Sequence, residues 1–356
     1  MEENHNNFSG GSHIPYPEYQ SYKYVSGSFR PVSEYERRAI KKNYSTAFSE
    51  VIIHAVGSIV LANVVFILMM IFGYEFRIND ENTQILDVPY MIAGSLPSIL
   101  FCTGIFLFDK GKCRKKLSEY FRGDDITAGT VFGFFGMVML FYVLSVIVQQ
   151  IVLGGCFAAG FSPIKEEYLT EEELSVPFLI WEVLLTGIIG PIAEELMFRG
   201  VILRRLSIVS QRFAIFASAL IFGMMHGNLV QMILGFFVGL VFGYAAVKTG
   251  SLLLPVAGHI FINLFATSNN IVKFLTDDST VEGYWLAYLG VFLLIGAVTL
   301  AVLLSRRRIS LPRSTEYHSK RTFPIIVKCV SFWVMTAILI IEIVSKFGPV
   351  TEKLLE

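Results

Sequence analysis

The sequence predicts an all-α fold, a polytopic helical membrane bundle of about nine transmembrane helices. Three observations carry this: 54% of the 356 residues are apolar, only 16% are charged, and the apolar residues fall into separate runs. Several runs reach the roughly 18 to 25 residues that a helix rising 1.5 Å per residue needs to cross about 30 Å of hydrocarbon. Backbone polar groups in lipid must be satisfied within the segment, so the spans are helices. Thirty-one Phe and 15 Tyr accompany a positive mean hydropathy. The formal net charge is zero, which gives no reason to expect nucleic acid as a partner. Cys102, Cys113, Cys156 and Cys329 are scattered without a CxxC, so neither a disulfide framework nor a thiolate metal site is indicated.

Taken in order, the chain opens with about 30 polar residues rich in Asn, Ser, Gly and Tyr. These lack the basic-then-apolar pattern of a signal peptide and read as a disordered cytoplasmic tail, with the tail region set at residues 1–45. Apolar runs then fall at about 48–73, 89–108, 129–154, 177–203, 213–228, 229–247, 251–270, 284–305 and 323–345. Basic clusters stand at Arg37 to Lys42, Lys110 to Lys116, Arg204 to Arg212, Lys248 and Arg306 to Arg308. Acidic loops, Tyr74 to Pro89, Glu166 to Glu173 and Asp277 to Glu282, alternate with them, and every cluster agrees with an N-terminus on the inner side. There is no internal repeat and no separate soluble domain. Residues 46–176 form an N-terminal transmembrane region, 177–270 a central core, and 271–356 the C-terminal transmembrane helices.

Two spans carry backbone signals. Gly235, Gly239 and Gly243 form a small-residue row on one face of the sixth, which lets a neighbouring helix approach closely. Gly187, Gly190 and Pro191 interrupt the fourth, and Pro191 removes a donor and clashes with the preceding turn, so a kink is expected there.

The fourth span also holds charge, in the stretch PIAEELMFRG from Pro191 to Gly200. Each ionised side chain at the bilayer centre costs roughly 2.5 to 3.5 kcal/mol on insertion scales, so Glu194, Glu195 and Arg199 cannot simply face lipid. Glu195 and Arg199 are four residues apart, stacked on one helix face and able to pair. Glu194 is left over and available for chemistry. The fifth span carries FGMMH, with Phe222 and His226 four apart, and the seventh carries HIFIN, with His259 and Asn263 four apart. Counting 1.5 Å per residue from the nearest basic residue places Glu194 about 15 Å deep, His226 about 21 Å and His259 about 16 Å. One carboxylate, two imidazoles and one amide at similar depth on three helices form a reactive constellation.

No Ser or Cys nucleophile motif and no HExxH accompanies these residues. Glu194 with His226 could deprotonate a water while His259 and Asn263 support the oxyanion of a tetrahedral intermediate. Glu194, His226 and His259 are equally a zinc set, with the metal activating its bound water. Residue types alone leave both routes open.

EELMFR, FGMMH and HIFIN, in this order and on separate spans, resemble the EExxxR, FxxxH and HxxxN motifs of the CPBP family of intramembrane proteases, the CAAX-protease and bacteriocin-processing family. The likeness covers roughly residues 177–270. It implies a helical bundle with a membrane-embedded active-site cavity and endopeptidase activity on membrane-anchored or lipidated peptides. It also implies Glu194 as base, His226 as its partner, His259 and Asn263 at the oxyanion, and Glu195 with Arg199 as a structural pair. A metal-free, glutamate-activated water is the favoured route, so no cofactor is expected, with zinc on Glu194, His226 and His259 the alternative. The expected setting is a bacterial plasma membrane with the N-terminus cytoplasmic. Two other classes compete: a non-catalytic scaffold or bacteriocin-immunity protein of the same fold, and a transporter using Glu194 and the histidines as a proton relay. His54, Glu182, Lys328 and Glu342 read as isolated ionisable residues that snorkel or pack, and Gln149 and Gln150 as interfacial.

Overall fold

A computed structural model describes residues 34–77, 84–123, 126–163, 170–208, 210–306 and 324–350. It is a polytopic helical membrane bundle. The helices are α1 (Glu34–Ile71), α2 (Val88–Cys113), the short α3 (Leu117–Phe121), α4 (Ala128–Ala158), α5 (Val176–Leu206), α6 (Gln211–Met224), α7 (Leu229–Thr249), α8 (Leu253–Leu275), α9 (Asp278–Ser305) and α10 (Val330–Ser345). Among the described residues six of these, α1, α2, α4, α5, α7 and α9, are long and apolar enough to cross a membrane. The other three apolar runs also form helices, but α6 and α10 are only 14 and 16 residues long. At 1.5 Å per residue α6 covers about 21 Å, short of the hydrocarbon thickness.

Sequence-encoded caps set many of the helix starts. The side chains of Asp87, Thr127, Ser175, Ser210, Asn228 and Asp277 each accept the backbone N–H three residues on, opening α2, α4, α5, α6, α7 and α9. Two boundaries differ from the sequence reading. Residues 34–45, assigned to the tail, are the first turns of α1, while residues 1–33 lie outside the described residues. The fifth run ends as a helix at Met224, so His226 stands in the turn beyond it. That turn needs Gly227, whose φ of 68° is left-handed. Lys165 to Leu169 and the basic residues Arg307 and Arg308 lie outside the described residues.

α5 is the centre of the bundle. Its inner residues Met197, Phe198, Val201, Ile202, Leu203 and Leu206 are fully or almost fully buried. Five of them meet α1, α2, α6 and α10 in one hydrophobic cluster, while Val201 packs with Phe106, Tyr120, Leu252 and Val256. A second cluster, rich in aromatic rings, joins α4, α7, α8 and α9. Apolar side chains on the outside of the bundle, such as Phe132 at 77% exposure and Ile151 at 68%, form a surface suited to lipid rather than water. α6 and α7 form an antiparallel hairpin in which Gly235, Gly239 and Gly243 face Gly223, Ala219 and Ile215. A Cβ at Gly239 would lie 3.2 Å from both Ala219 and the Arg199 guanidinium, so the small-residue row serves packing and the buried charge together.

Short strands lie outside the helices. β1 (Gln84–Leu86) pairs in parallel with β3 (Thr170–Glu172), and β2 (Phe161–Ser162) pairs antiparallel with β4 (Gly348–Pro349). Arg77 ties this region by pairing with Glu173 and, at 3.4 Å, with Asp87. The guanidinium holds the Glu173 carboxyl below its ordinary range.

Candidate active site

The kink expected at Gly187 to Pro191 takes the form of a π-helical segment, Val183–Ile189, inside α5. The N–H of Gly190 reaches back five residues to the Leu185 carbonyl. Continued at that spacing, the Thr186 carbonyl would be served by residue 191, which is proline and has no N–H. Asn263 of α8 fills the gap: its Nδ2 donates to Thr186 O at 2.8 Å. A second π segment, Phe198–Ile202, follows Met197. Glu194 and Glu195 therefore sit on one α-helical stretch, Gly190–Met197, between two widened turns.

Glu195 and Arg199 are both completely buried, with Arg199 Nη1 donating to Glu195 Oε1 at 2.7 Å. Arg199 Nη2 also donates to the Gly239 carbonyl at 3.2 Å. Its guanidinium lies 4.5 Å from the Phe222 ring centre and 5.4 Å from that of Phe242. The same Glu195 oxygen takes His259 Nδ1 at 3.0 Å, so one carboxylate oxygen joins two helices. A carboxylate engaged by a guanidinium accepts, so His259 Nδ1 carries the proton and Nε2 faces outward. Nε2 lies 3.9 Å from Glu194 Oε2. Glu194 differs from its neighbour in keeping 29% of its side chain exposed.

His226 is exposed at the tip of the α6–α7 hairpin. Its Nδ1 is 3.0 Å from the Phe222 carbonyl, which can only accept, so Nδ1 is the donor and Nε2 is left open. The Phe222 ring gathers the three motifs. His226 meets it edge-on at 5.2 Å between ring centres and His259 at 5.5 Å, while Arg199 lies over it. The structure thus brings Glu194, Glu195, Arg199, His259 and Asn263 onto the α5–α8 seam, with His226 joined to them through Phe222.

The fit of a metal is a matter of spacing. Among the described residues no three His, Cys, Asp or Glu side chains stand close enough to hold an ion together. His259 Nδ1 is engaged by Glu195, so Nε2 is the ring nitrogen that would have to ligate.

Several residues read as isolated on sequence have partners. Glu182, 9% exposed, accepts from Asn270 Nδ2 at 2.8 Å, and His54 meets Ser98 at 3.1 Å. Gln149, read as interfacial, donates to the Val230 carbonyl at 2.9 Å and so ties α4 to the start of α7. Glu342 of α10 lies against Gly227, next to His226. Lys328 is exposed. The sequence reading missed a buried set altogether: Arg205 pairs with Glu50 of α1 at 2.9 Å and with Asp109 of α2. The signal was one acid in each of the first two spans, together with a basic residue at the end of the fourth.

Residues 176–265 match the family described as type II CAAX prenyl endopeptidase Rce1-like. A Bacillus subtilis (strain 168) protein named "Putative membrane peptidase YdiL" is 32% identical over 92 residues. That stretch is 26% of this chain and 36% of the relative, so the chain spans about a third of the length of the curated protein it matches. No solved structure gives a significant match. The matched segment, about a quarter of the chain, holds all three motifs and both partners of the Glu195–Arg199 pair, and it is similar to the core of the CAAX-protease family, here set within a polytopic membrane bundle.

Proposed function

We propose that the chain is an intramembrane endopeptidase that hydrolyses a peptide bond of a membrane-anchored or lipidated substrate with a water activated by Glu194 and His226. The observation that carries this is the division of labour between adjacent glutamates. Glu195 is fully buried and committed to Arg199 and His259, while Glu194 is partly exposed and faces His259 Nε2. In the reaction Glu194 takes a proton from water, helped by the open Nε2 of His226, and the hydroxide adds to the carbonyl carbon. His259, held at Nδ1 by Glu195, presents Nε2 to the oxyanion and donates to it when that nitrogen carries a proton. Asn263 spends one amide proton on Thr186 and offers the other. When the tetrahedral intermediate collapses the C–N bond breaks, and the proton held by Glu194 passes to the leaving amine. The low-dielectric surroundings strengthen each of these interactions. The alternation of basic clusters with acidic loops supports a cytoplasmic N-terminus, and the setting proposed is a bacterial plasma membrane.

The test is proteolysis by detergent-purified protein against membrane-anchored and lipidated peptides, with wild type, Glu194→Gln and His226→Ala compared with and without a strong zinc chelator. Removing the base is expected to lower the rate by about 10² to 10⁴. Full activity in either variant overturns the proposal. Loss of activity to chelator with rescue by zinc would replace the metal-free route by a metal-assisted one.

A further inference from the structure

A cavity lies between α4, α6 and α7, apart from the residues of the candidate active site. It has a volume of about 440 Å³ and is walled by α4, α6 and α7, with one residue each from α8 and α9. None of Glu194, Glu195, Arg199, His226, His259 or Asn263 lines it. Along α4 it extends from Gly129 to Phe141, which at 1.5 Å per residue is about 18 Å. Its body is apolar, formed by side chains such as Phe134, Met137, Ile215 and Leu240, and the half-exposed Phe216 leaves one flank open to the lipid.

The polar character is confined to one end. Gly243 packs on Ile215 and Gly235 on Gly223 in the antiparallel hairpin, so Arg212 in the first turn of α6 and Lys248 in the last turn of α7 come to the same level. Both are exposed, and both line the mouth of the cavity beside Thr130 in the first turn of α4. Lys248 Nζ is 3.4 Å from the Tyr244 hydroxyl, which also lines the groove. The start of α6 adds the positive end of a helix dipole at that level. An apolar channel of about this length, ending in two cations where helices meet the headgroup layer, is complementary to one amphiphile: a long apolar chain carrying an anionic head.

We propose that this groove is a binding site for an anionic phospholipid, with an acyl chain along Phe134, Met137 and Leu240 and the headgroup phosphate between Arg212 and Lys248. The occupant is a lipid rather than free phosphate because the apolar body accounts for most of the lining and two exposed cations form only its rim. The site is separate from the proposed catalysis in its lining. It touches it through one wall, since Phe134 packs on Phe242 at 6.2 Å between ring centres and Phe242 lies 5.5 Å from His259.

Lipid retention by the full-length protein tests this. Detergent-purified protein is incubated with phosphatidylglycerol or phosphatidylcholine of matched chains, and bound lipid is counted by native mass spectrometry. One phosphatidylglycerol per chain is expected to be held at least tenfold more strongly than phosphatidylcholine. Arg212→Gln with Lys248→Gln should lower phosphatidylglycerol retention about tenfold, to the phosphatidylcholine level. Gly133→Leu, whose Cβ would sit 3.6 Å from Leu303 and send its side chain into the groove, should lower both. Millimolar inorganic phosphate and glycerol phosphate should displace nothing. Equal retention of the two lipids by wild type, or undiminished selectivity in the double charge variant, overturns the proposal. Displacement by inorganic phosphate overturns it in favour of a free-phosphate site. The charge variant alters two exposed residues and decides the matter even if Gly133→Leu fails to fold.

Discussion

At the scale of single residues, Glu195 has the largest consequence. One oxygen of this fully buried carboxylate accepts from Arg199 at 2.7 Å and from His259 at 3.0 Å. Removing one partner of a buried ion pair leaves the other charge without compensation, at a cost of about 3 to 5 kcal/mol. Glu195→Gln is therefore expected to lower the unfolding midpoint in detergent strongly, whereas Glu194→Gln, at a partly exposed carboxylate, should leave it nearly unchanged. Thermal unfolding of the two purified variants checks the contrast, and equal midpoints would refute it. Arg199→Lys is no remedy, because an ammonium cannot reach Glu195 and the Gly239 carbonyl in the same planar fork or lie flat between Phe222 and Phe242. The i,i+4 spacing in EELMFR made the Glu195–Arg199 contact legible in the sequence. The sharing of Glu195 with His259 was not, because it depends on how α8 docks 64 residues later.

At the scale of elements, the π segment at Val183–Ile189 determines what Asn263 does. The helix-breaking residues were visible in the sequence. The widened turn was not, because a proline signal does not say whether the helix bends or re-pairs at a longer step. Since Pro191 cannot serve the Thr186 carbonyl, Asn263 does so from another helix. Thr186 is exposed on the bundle, but in a hydrocarbon setting a carbonyl left without a donor still costs about 1 to 3 kcal/mol. Asn263→Ala should lose about that much stability alone. In a Pro191→Ala background, where residue 191 regains an N–H, the loss should shrink. A double-mutant cycle read by denaturant unfolding measures this coupling, and additivity would show that the two residues are independent. Likewise, apolar runs located the helices, but the fifth run overshot. Apolarity continues through Met225, and only the left-handed Gly227 and the Asn228 cap mark where α6 ends and α7 begins.

At the scale of the whole molecule, the matched segment is not held by apolar packing alone. Arg205, at the end of α5, joins Glu50 of α1 and Asp109 of α2 in a buried set. Arg205→Ala would take the guanidinium away from two buried acids, so α1 and α2 should loosen from the core. Limited proteolysis in detergent is expected to cut this variant faster than wild type, with the first cleavages mapping to the flanking helices, and an unchanged digestion pattern would count against the cluster as a clamp. The sequence showed three charges on separate spans but not which would meet, since Arg205 is separated from its partners by 96 and 155 positions and the pairing exists only in the assembled bundle. The clamp also makes the fold less modular than its family match suggests. A chimera that joined residues 176–265 to the flanking helices of another protein would inherit half of an electrostatic lock. Unless the donor helices carried acids where Glu50 and Asp109 stand, the graft would place a bare guanidinium inside the seam, so interchangeable parts must be sought at residue 205 as well as at the motifs.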